Sequence, residues 1–518
     1  MTVQCMLRTV NKLTFSGPPR PAGTPPKEGN HNSPPLEGQG WSLEGQGWFK
    51  ISLYWHCTVD NTFVGNQYVL RLKNLKLCCR KNNMMKSNCL TPFLLGIVFF
   101  AVLRTCGLNA EEMPNIVLII SDDQHWGDYG FMNHPVVKTP NLDKLSQEGL
   151  LFTRGYVPSS LCSPSLASII TGQYPHGHRI TGNDPPMPQG MQQGDFYQSQ
   201  AYLDGRKVLI DRMKELPTIP KRLAEKGYLS MQTGKWWMGG YDSGGFTHGM
   251  TQGGRHGDDG LQIGRDTMQP IADFLDHTTQ EKKPFFLWYA PMLPHDPHDP
   301  PERLLDHYKD KTESIHQARY WANVERFDET CGQLLDELDR RGLRENTVVV
   351  YVCDNGWIQN QDNPRYAPKS KQSQYDGGLR TPMIIRWPGK IQPERNDTDL
   401  VMSIDILPTL LSLSGSSKSV SLPGINLLDT DAIAGRKAIY GECFTHDFVD
   451  LYRPEKNLRF RWMIEDGWKL IIAQDGEETG VELYHVIDDP HEQWNLAAEQ
   501  PQRVAKMRPK LNSFFPLD

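Results

Sequence analysis

Residues 115–121 read Asn-Ile-Val-Leu-Ile-Ile-Ser and run straight into Asp122-Asp123. A strand with one wet face alternates apolar and polar positions. A run this continuous and β-branched needs cover on both faces, as a parallel strand inside an α/β layer has. The pattern returns downstream. Residues 228–233 end at Gly234-Lys235, residues 284–290 lead into Pro291 and His295, residues 347–352 end at Cys353-Asp354-Asn355, and residues 383–387 form a fifth strand candidate. Helical patterns lie between them. Thr139-Pro140-Asn141 reads as an N-cap followed by proline, with Leu142, Leu145 and Leu150 along one side; from about Ala318, apolar residues recur at three- and four-residue steps up to Gly342. Such alternation predicts a mostly parallel sheet sandwiched by helices, an α/β fold that binds ligands beyond the carboxyl ends of its strands. Asp122, Asp123, Lys235, His295, Asp354 and Asn355 all fall on that edge.

A second stretch supplies a reactive group. Leu161-Cys162-Ser-Pro164 leads into Leu166, Ile169 and Ile170, with Gly172 as a stop. Pro164 suits a first helical turn, so Cys162 is expected just before a helix N-terminus, where free N–H groups favour anions. A cysteine so placed is a nucleophile or a modification site, or else a buried residue that only packs.

The first hundred residues follow different rules. Residues 1–83 carry a proline-rich run and the repeat Leu-Glu-Gly-Gln-Gly-Trp, without sustained periodicity. Residues 84–110 then show a basic start, an apolar run at 90–103 and a small residue at the end, the pattern of a signal peptide; the run is too short for a comfortable membrane span of about 20 residues. The expectation is that Met84 or Met85 is the true start, with 1–83 upstream or disordered sequence; a single internal membrane anchor is the alternative. The expected location is secreted or periplasmic. Of ten cysteines only Cys162, Cys331, Cys353 and Cys443 follow this segment, without CxxC spacing, which argues against a thiolate metal site. A net charge of -6 argues against nucleic acid as partner. The main domain is assigned to residues 111–435. Shorter alternating segments at 460–464, 469–473 and 481–484, with a helix at about 502–514, predict a smaller C-terminal α+β subdomain, residues 436–518, with an antiparallel sheet.

Asp122, Asp123, Asp354 and Asn355 offer hard oxygen ligands, which favour Ca²⁺ or Mg²⁺ over zinc. Lys235, His295 and Lys371 could then hold the outer oxygens of a tetrahedral oxyanion. Each such residue alone is more often solvated or locally bonded; their recurrence at several strand ends points to a site.

The motifs Ser121-Asp122-Asp123, Cys162-Ser-Pro-Ser165, Ile170-Thr-Gly172, Gly234-Lys-Trp236, Pro294-His-Asp-Pro297, Asp354-Asn-Gly356 and Lys371 through Pro382 together resemble the sulfatase family, of the alkaline phosphatase-like superfamily. Glu482-Leu-Tyr484, Asp488-Asp-Pro490 and Asn495-Leu496 extend the likeness toward the carboxyl terminus. The resemblance implies removal of sulfate from a sulfated carbohydrate or aryl sulfate. Cys162 would be oxidised by a formylglycine-generating enzyme, a transient partner. The resulting hydrated diol would attack sulfur and expel sulfate by collapsing to the aldehyde. Asp122, Asp123, Asp354, Asn355 and the modified Cys162 would bind Ca²⁺, Lys235 and Lys371 would contact the sulfate, and His295 would contact sulfate or protonate the leaving alcohol.

Two positions depart from the family pattern. Leu166 stands where Cys-x-Pro-x-Arg has arginine, and Trp237 where Lys-Trp-His has histidine. His176, His178 or Arg179 are candidates to compensate. A divergent sulfatase, a sulfatase-derived protein that binds metal and sulfated ligands without turnover, and a phosphoesterase using unmodified Cys162 or metal-bound water are the readings these departures leave. Residues 239–260 and 183–186 are expected to form pocket-wall loops or surface insertions.

Overall fold

The computed structural model describes residues 113–416, 421–474 and 480–515, with a two-residue hairpin pairing Phe63–Val64 with Gln67–Tyr68. Two compact units divide the chain, residues 1–108 and 109–518, and the second holds both sheets described next. The signal-peptide and upstream assignments lie outside the described residues.

Eight strands form the main sheet: β1 (Asn115–Ser121), β2 (Leu150–Phe152), β3 (Leu229–Gly234), β4 (His248–Gly249), β5 (Phe285–Ala290), β6 (Thr347–Cys353), β7 (Met383–Arg386) and β8 (Glu394–Asn396). Their order is β8-β2-β7-β6-β1-β5-β3-β4. All neighbours are parallel except those of β7, which runs antiparallel to β2 and β6. The sheet is thus mostly parallel, as the continuous apolar runs require. An apolar run does not reveal strand direction, so the reversal of β7 was not foreseeable. Leu150 also differs from expectation. Helix α1 (Pro140–Glu148) stops before it, and Leu150 opens β2.

Alternate residues of each strand feed two cores. Ile116, Leu118, Ile120, Val348, Val350 and Val352 face a layer containing α2 (Cys162–Thr171) and α3 (Gln200–Glu215). Val117, Ile119, Val349 and Tyr351 face α1 together with α4 (Gln269–Glu281) and α5 (Ile315–Arg340). Helix α2 is buried on all sides rather than on one face, and Gly172 ends it in the left-handed conformation (φ +63°). Four strands, β9 (Ala438–Phe444), β10 (Leu458–Glu465), β11 (Trp468–Ala473) and β12 (Val481–His485), form an antiparallel sheet in sequential order. Helix α6 (Pro501–Phe514) packs on it through Met507 and Leu511. Trp462, Ile464 and Ile471 of this sheet share an apolar cluster with Tyr156, Met402 and Ile404 of the main body. Among the described residues no helix is long and apolar enough to cross a membrane.

Candidate active site

Strand register builds the site. Ser121 of β1 pairs with Cys353 of β6, so the next residues, Asp122 and Asp354, emerge side by side at the carboxyl edge. On the other flank Gly234 of β3 pairs with Ala290 of β5, delivering Lys235 to the same edge. Gly234 has φ +76°, and a Cβ there would lie 1.7 Å from Ala290 O, so only glycine lets Lys235 turn in. Asp122 donates its backbone N–H to Leu293 O (2.9 Å), which ties the loop carrying His295 to β1. Asp123 takes a left-handed backbone (φ +61°), an uncommon choice outside glycine that often marks a functional turn.

The side chains close into one buried cluster. Lys235 Nζ lies 2.6 Å from Asp122 Oδ1 and 3.5 Å from Asp354 Oδ2. Lys371 Nζ lies 2.6 Å from Asp123 Oδ2 and 3.4 Å from His295 Nε2. Asn355 Nδ2 donates to Asp123 Oδ1 (2.6 Å), and Asp354 Oδ1 accepts from the N–H groups of Asn355 (2.7 Å) and Asp123 (3.2 Å). His295 donates Nδ1–H to the Asp296 carbonyl (2.5 Å), which leaves its Nε2 lone pair to accept from Lys371 Nζ (3.4 Å). Cys162 is the first residue of α2 rather than the residue before it, and Asn183 caps that end by accepting the Ser163 N–H at 3.0 Å. Ligand atoms of Asp122, Asp123, Cys162 and His295 all lie within 4.8 Å of one another. All eight residues picked out from sequence therefore meet in one place.

Electrostatics follow from burial and this crowding. Burial opposes the Lys235 charge, but Asp122, Cys162 and Asp354 outweigh it and hold the ammonium well above its usual range. Lys371 behaves likewise, with Asp123 the chief opposing partner. Burial, then Asp354, raises the Asp122 carboxyl against the pull of Lys235. Burial and the two lysines drive His295 well below its ordinary value, so its imidazole is neutral. Burial pushes the Cys162 thiol up to about 11 against the pull of Lys235 and Lys371. An unmodified Cys162 is then protonated near neutral pH and a weak nucleophile.

The donor set fits a hard divalent cation. Three carboxylates face two ammonium groups, and Asn355 Oδ1 is buried without a hydrogen-bond partner. Oxygen donors predominate, as Ca²⁺ or Mg²⁺ demands.

The two departures from the family pattern are both buried in the apolar core. Leu166, one helical turn beyond Cys162, is buried in the same apolar cluster as Trp237. The compensating candidates lie elsewhere. His176 pairs with Glu442, whereas His178 contacts Ser168 Oγ (3.0 Å), accepts the Ile180 N–H and is pushed down to about 3 by burial. The Arg179 carbonyl accepts from Arg212. Another imidazole, that of His256 in the glycine-rich stretch, lies with its ring centroid 6.0 Å from that of His295; no periodicity marked it.

The sulfatase family model matches residues 114–416, more than half of the chain. The chain belongs to the sulfatase family. A second model, the C-terminal region of N-sulphoglucosamine sulphohydrolase, matches residues 369–514. N-acetylgalactosamine-6-sulfatase of Canis lupus familiaris is 28% identical over 360 residues, 61% of this chain and 65% of that protein. Arylsulfatase A of Homo sapiens is 29% identical over 372 residues, 62% of this chain and 68% of that protein. The chain thus aligns with about two thirds of each relative's length. A sulfatase from Pseudoalteromonas sp. has the same fold, with a TM-score of 0.56 and 20% identity over 82% of this chain and 95% of that one.

Proposed function

We propose that this sulfatase-family protein removes sulfate from a sulfated carbohydrate or an aryl sulfate, using a formylglycine derived from Cys162 and a Ca²⁺ held by Asp122, Asp123, Asp354, Asn355 and the modified side chain. The observation that carries the reading is Cys162 at a helix start, against Asp122, Asp123 and His295 and between two buried lysines. Formylglycine would supply the nucleophile that the protonated thiol is not, and the cation would neutralise charge on a sulfate oxygen. The chain's own groups do the rest. Lys235 and Lys371 hold sulfate oxygens as fixed positive charges. His295, oriented by the Asp296 carbonyl, would take at Nε2 the proton that the attacking hydroxyl releases and return it to the leaving oxygen. Mg²⁺ is the other cation the donors would accept.

Export through the segment 84–110 would place the protein outside the cytoplasm, and conversion of Cys162 requires a transient encounter with the formylglycine-generating enzyme. One observation favours a second reading. Leu166 and Trp237 fill with apolar volume the two places where the family pattern has a guanidinium and an imidazole. That is what a protein keeping sulfate and metal affinity without turnover would show. Mass spectrometry of the Cys162 peptide from the native host, with initial rates on 4-nitrophenyl sulfate and a panel of sulfated sugars in Ca²⁺ or chelator, separates the readings. The hydrolase predicts the aldehyde or its hydrate and chelator-sensitive turnover. An unmodified thiol without turnover supports the binding protein, and phosphate-ester turnover by the unmodified thiol supports a phosphoesterase.

A further inference from the structure

The place where the family motif has histidine holds Trp237, yet an imidazole stands beside it. His256 enters from the 239–260 loop on a left-handed backbone, φ +68°. Its ring meets that of Trp237 edge to face, with centroids 4.5 Å apart, and lies 6.0 Å from that of His295. The loop is pinned against the strand end that carries Lys235. Trp236 N–H donates to His256 O (3.0 Å), and a Cβ on Gly257 would lie 2.5 Å from Gly234 O.

The tautomer of His256 is fixed. Arg255 Nη1 lies 2.9 Å from His256 Nε2, and a guanidinium can only donate, so Nε2 accepts and the neutral ring carries its proton on Nδ1. Arg255 is itself held by the buried Asp184, through bonds of 2.7, 3.1 and 3.1 Å, and lies over the rings of Trp237 (4.9 Å) and Tyr197 (5.2 Å). Burial, then Arg255 and Lys235, keep the imidazole far below its usual range and hence neutral. The two loops expected from the sequence to be pocket walls or surface insertions thus meet at Asp184–Arg255, and His256, next to Arg255, carries a neutral N–H donor with its ring 6.0 Å from that of His295.

We propose that His256 contacts the sulfate group of the bound ester, its Nδ1–H donating to an oxyanion oxygen, with Asp184 and Arg255 as positioning residues. This rests on the oxyanion-binding reading of the cluster. It also explains how the site tolerates Trp237: the polar group is delivered by another loop, and the indole is the wall it stands on.

The test uses the full chain, inorganic sulfate as calorimetric titrant, and 4-nitrophenyl sulfate as substrate. His256→Gly and His256→Asn both suit a left-handed backbone, so neither forces the loop to move. Asparagine places an amide N–H about where Nδ1–H stands. The expected results are at least about tenfold weaker sulfate binding in H256G, a value in the range for one charged hydrogen bond, a parallel fall in kcat/KM, and recovery of most of both in H256N. Thermal melting of each variant separates this from a purely structural role, which would lower Tm and leave sulfate affinity unchanged. Undiminished sulfate binding in H256G, or equal loss in H256G and H256N, overturns the assignment. Wild-type protein that binds sulfate without hydrolysing esters refutes the hydrolase reading but not His256, whose binding arm still reports. Normal turnover in H256G refutes His256 alone, and absence of sulfate binding by the wild type refutes both.

Discussion

Two clusters in this molecule bury lysine among carboxylates, and they are finished differently. Beneath the antiparallel sheet, Lys469 Nζ lies 2.8 Å from both Asp376 Oδ1 and Glu492 Oε1. The second oxygen of each acid is also engaged, Asp376 Oδ2 by the Tyr156 hydroxyl (2.9 Å) and Glu492 Oε2 by the Asp376 N–H (2.6 Å). One cation is enclosed by partners that all belong to the chain. At the sheet edge, three carboxylates, two lysines, a thiol and an imidazole crowd together, and Asn355 Oδ1 still has no hydrogen-bond partner. The lesson is about completeness. Each cluster holds one carboxylate more than it holds lysines; what differs is that every carboxylate oxygen of the inner one faces a lysine, a hydroxyl or an N–H of the chain, whereas Asn355 Oδ1 at the edge faces no donor and is free to ligate.

The largest expected effect separates the two on activity. Cys162→Ala should lower kcat/KM by about 10³-fold or more, as removal of a nucleophile does, with little change in the unfolding transition. Turnover surviving at even a tenth of the wild-type rate would mean that the nucleophile is not formed on α2.

The converse change is Lys469→Met. It strands two buried carboxylates and should cost about 3–5 kcal/mol of stability in denaturant unfolding. Molecules that remain folded should keep kcat. A large loss of kcat at unchanged stability would show that the inner cluster communicates with the site and erase the distinction.

A smaller effect is expected from pH. Burial, against the pull of Lys469 and with Asp376 adding to it, pushes the Glu492 carboxyl up to about 7 from its usual 4.5. A raised carboxyl binds its proton more tightly in the folded chain than in the unfolded one. Its contribution is therefore fully present below about pH 4.5 and is lost as pH rises to about 7, on the order of 1–3 kcal/mol. Glu492→Gln should remove this slope, so the gap in Tm between wild type and variant should change in the variant's favour from pH 5 to pH 8. A gap independent of pH would mean that Glu492 is ionised throughout, as a closed salt bridge with full compensation would have it.

Much of this was visible in the chain because a strand buried on both faces must be apolar until it reaches the sheet edge. The ends of β1, β3, β5 and β6 could be placed from where the apolar runs of residues 115–121, 228–233, 284–290 and 347–352 stop, and register then forces Asp122 beside Asp354. The span of α2 was legible from Pro164 and Gly172, though its start falls at Cys162 rather than after it. Other features depend on tertiary facts that no local pattern encodes. The direction of β7 is set by pairing alone. Leu150 fits the apolar side of α1 as well as it fits β2, with only Gly149 between them. Strand β9 contains Gly441 and Glu442 and lacks a clean alternation. His256 sits among glycines, and nothing in its neighbours announces that the loop folds back on Trp237. Lys469 looked like an ordinary polar strand position, because its partners lie far away at Asp376 and Glu492. Near the end of the chain, Glu482 accepts from the Tyr375 and Tyr484 hydroxyls, and Asp489 caps the turn at Gln493 and Trp494. Those family motifs tie the second sheet in place rather than touch the site.

The central claim, that the donor set at the sheet edge beside Cys162 binds a hard cation, is tested most directly by calorimetric titration of Ca²⁺ into chelator-treated protein. The account predicts one ion per chain with a Kd of about 10⁻⁵ M or tighter, lost in Asp123→Asn and retained in Glu492→Gln. No binding, or binding undiminished in Asp123→Asn, would contradict it.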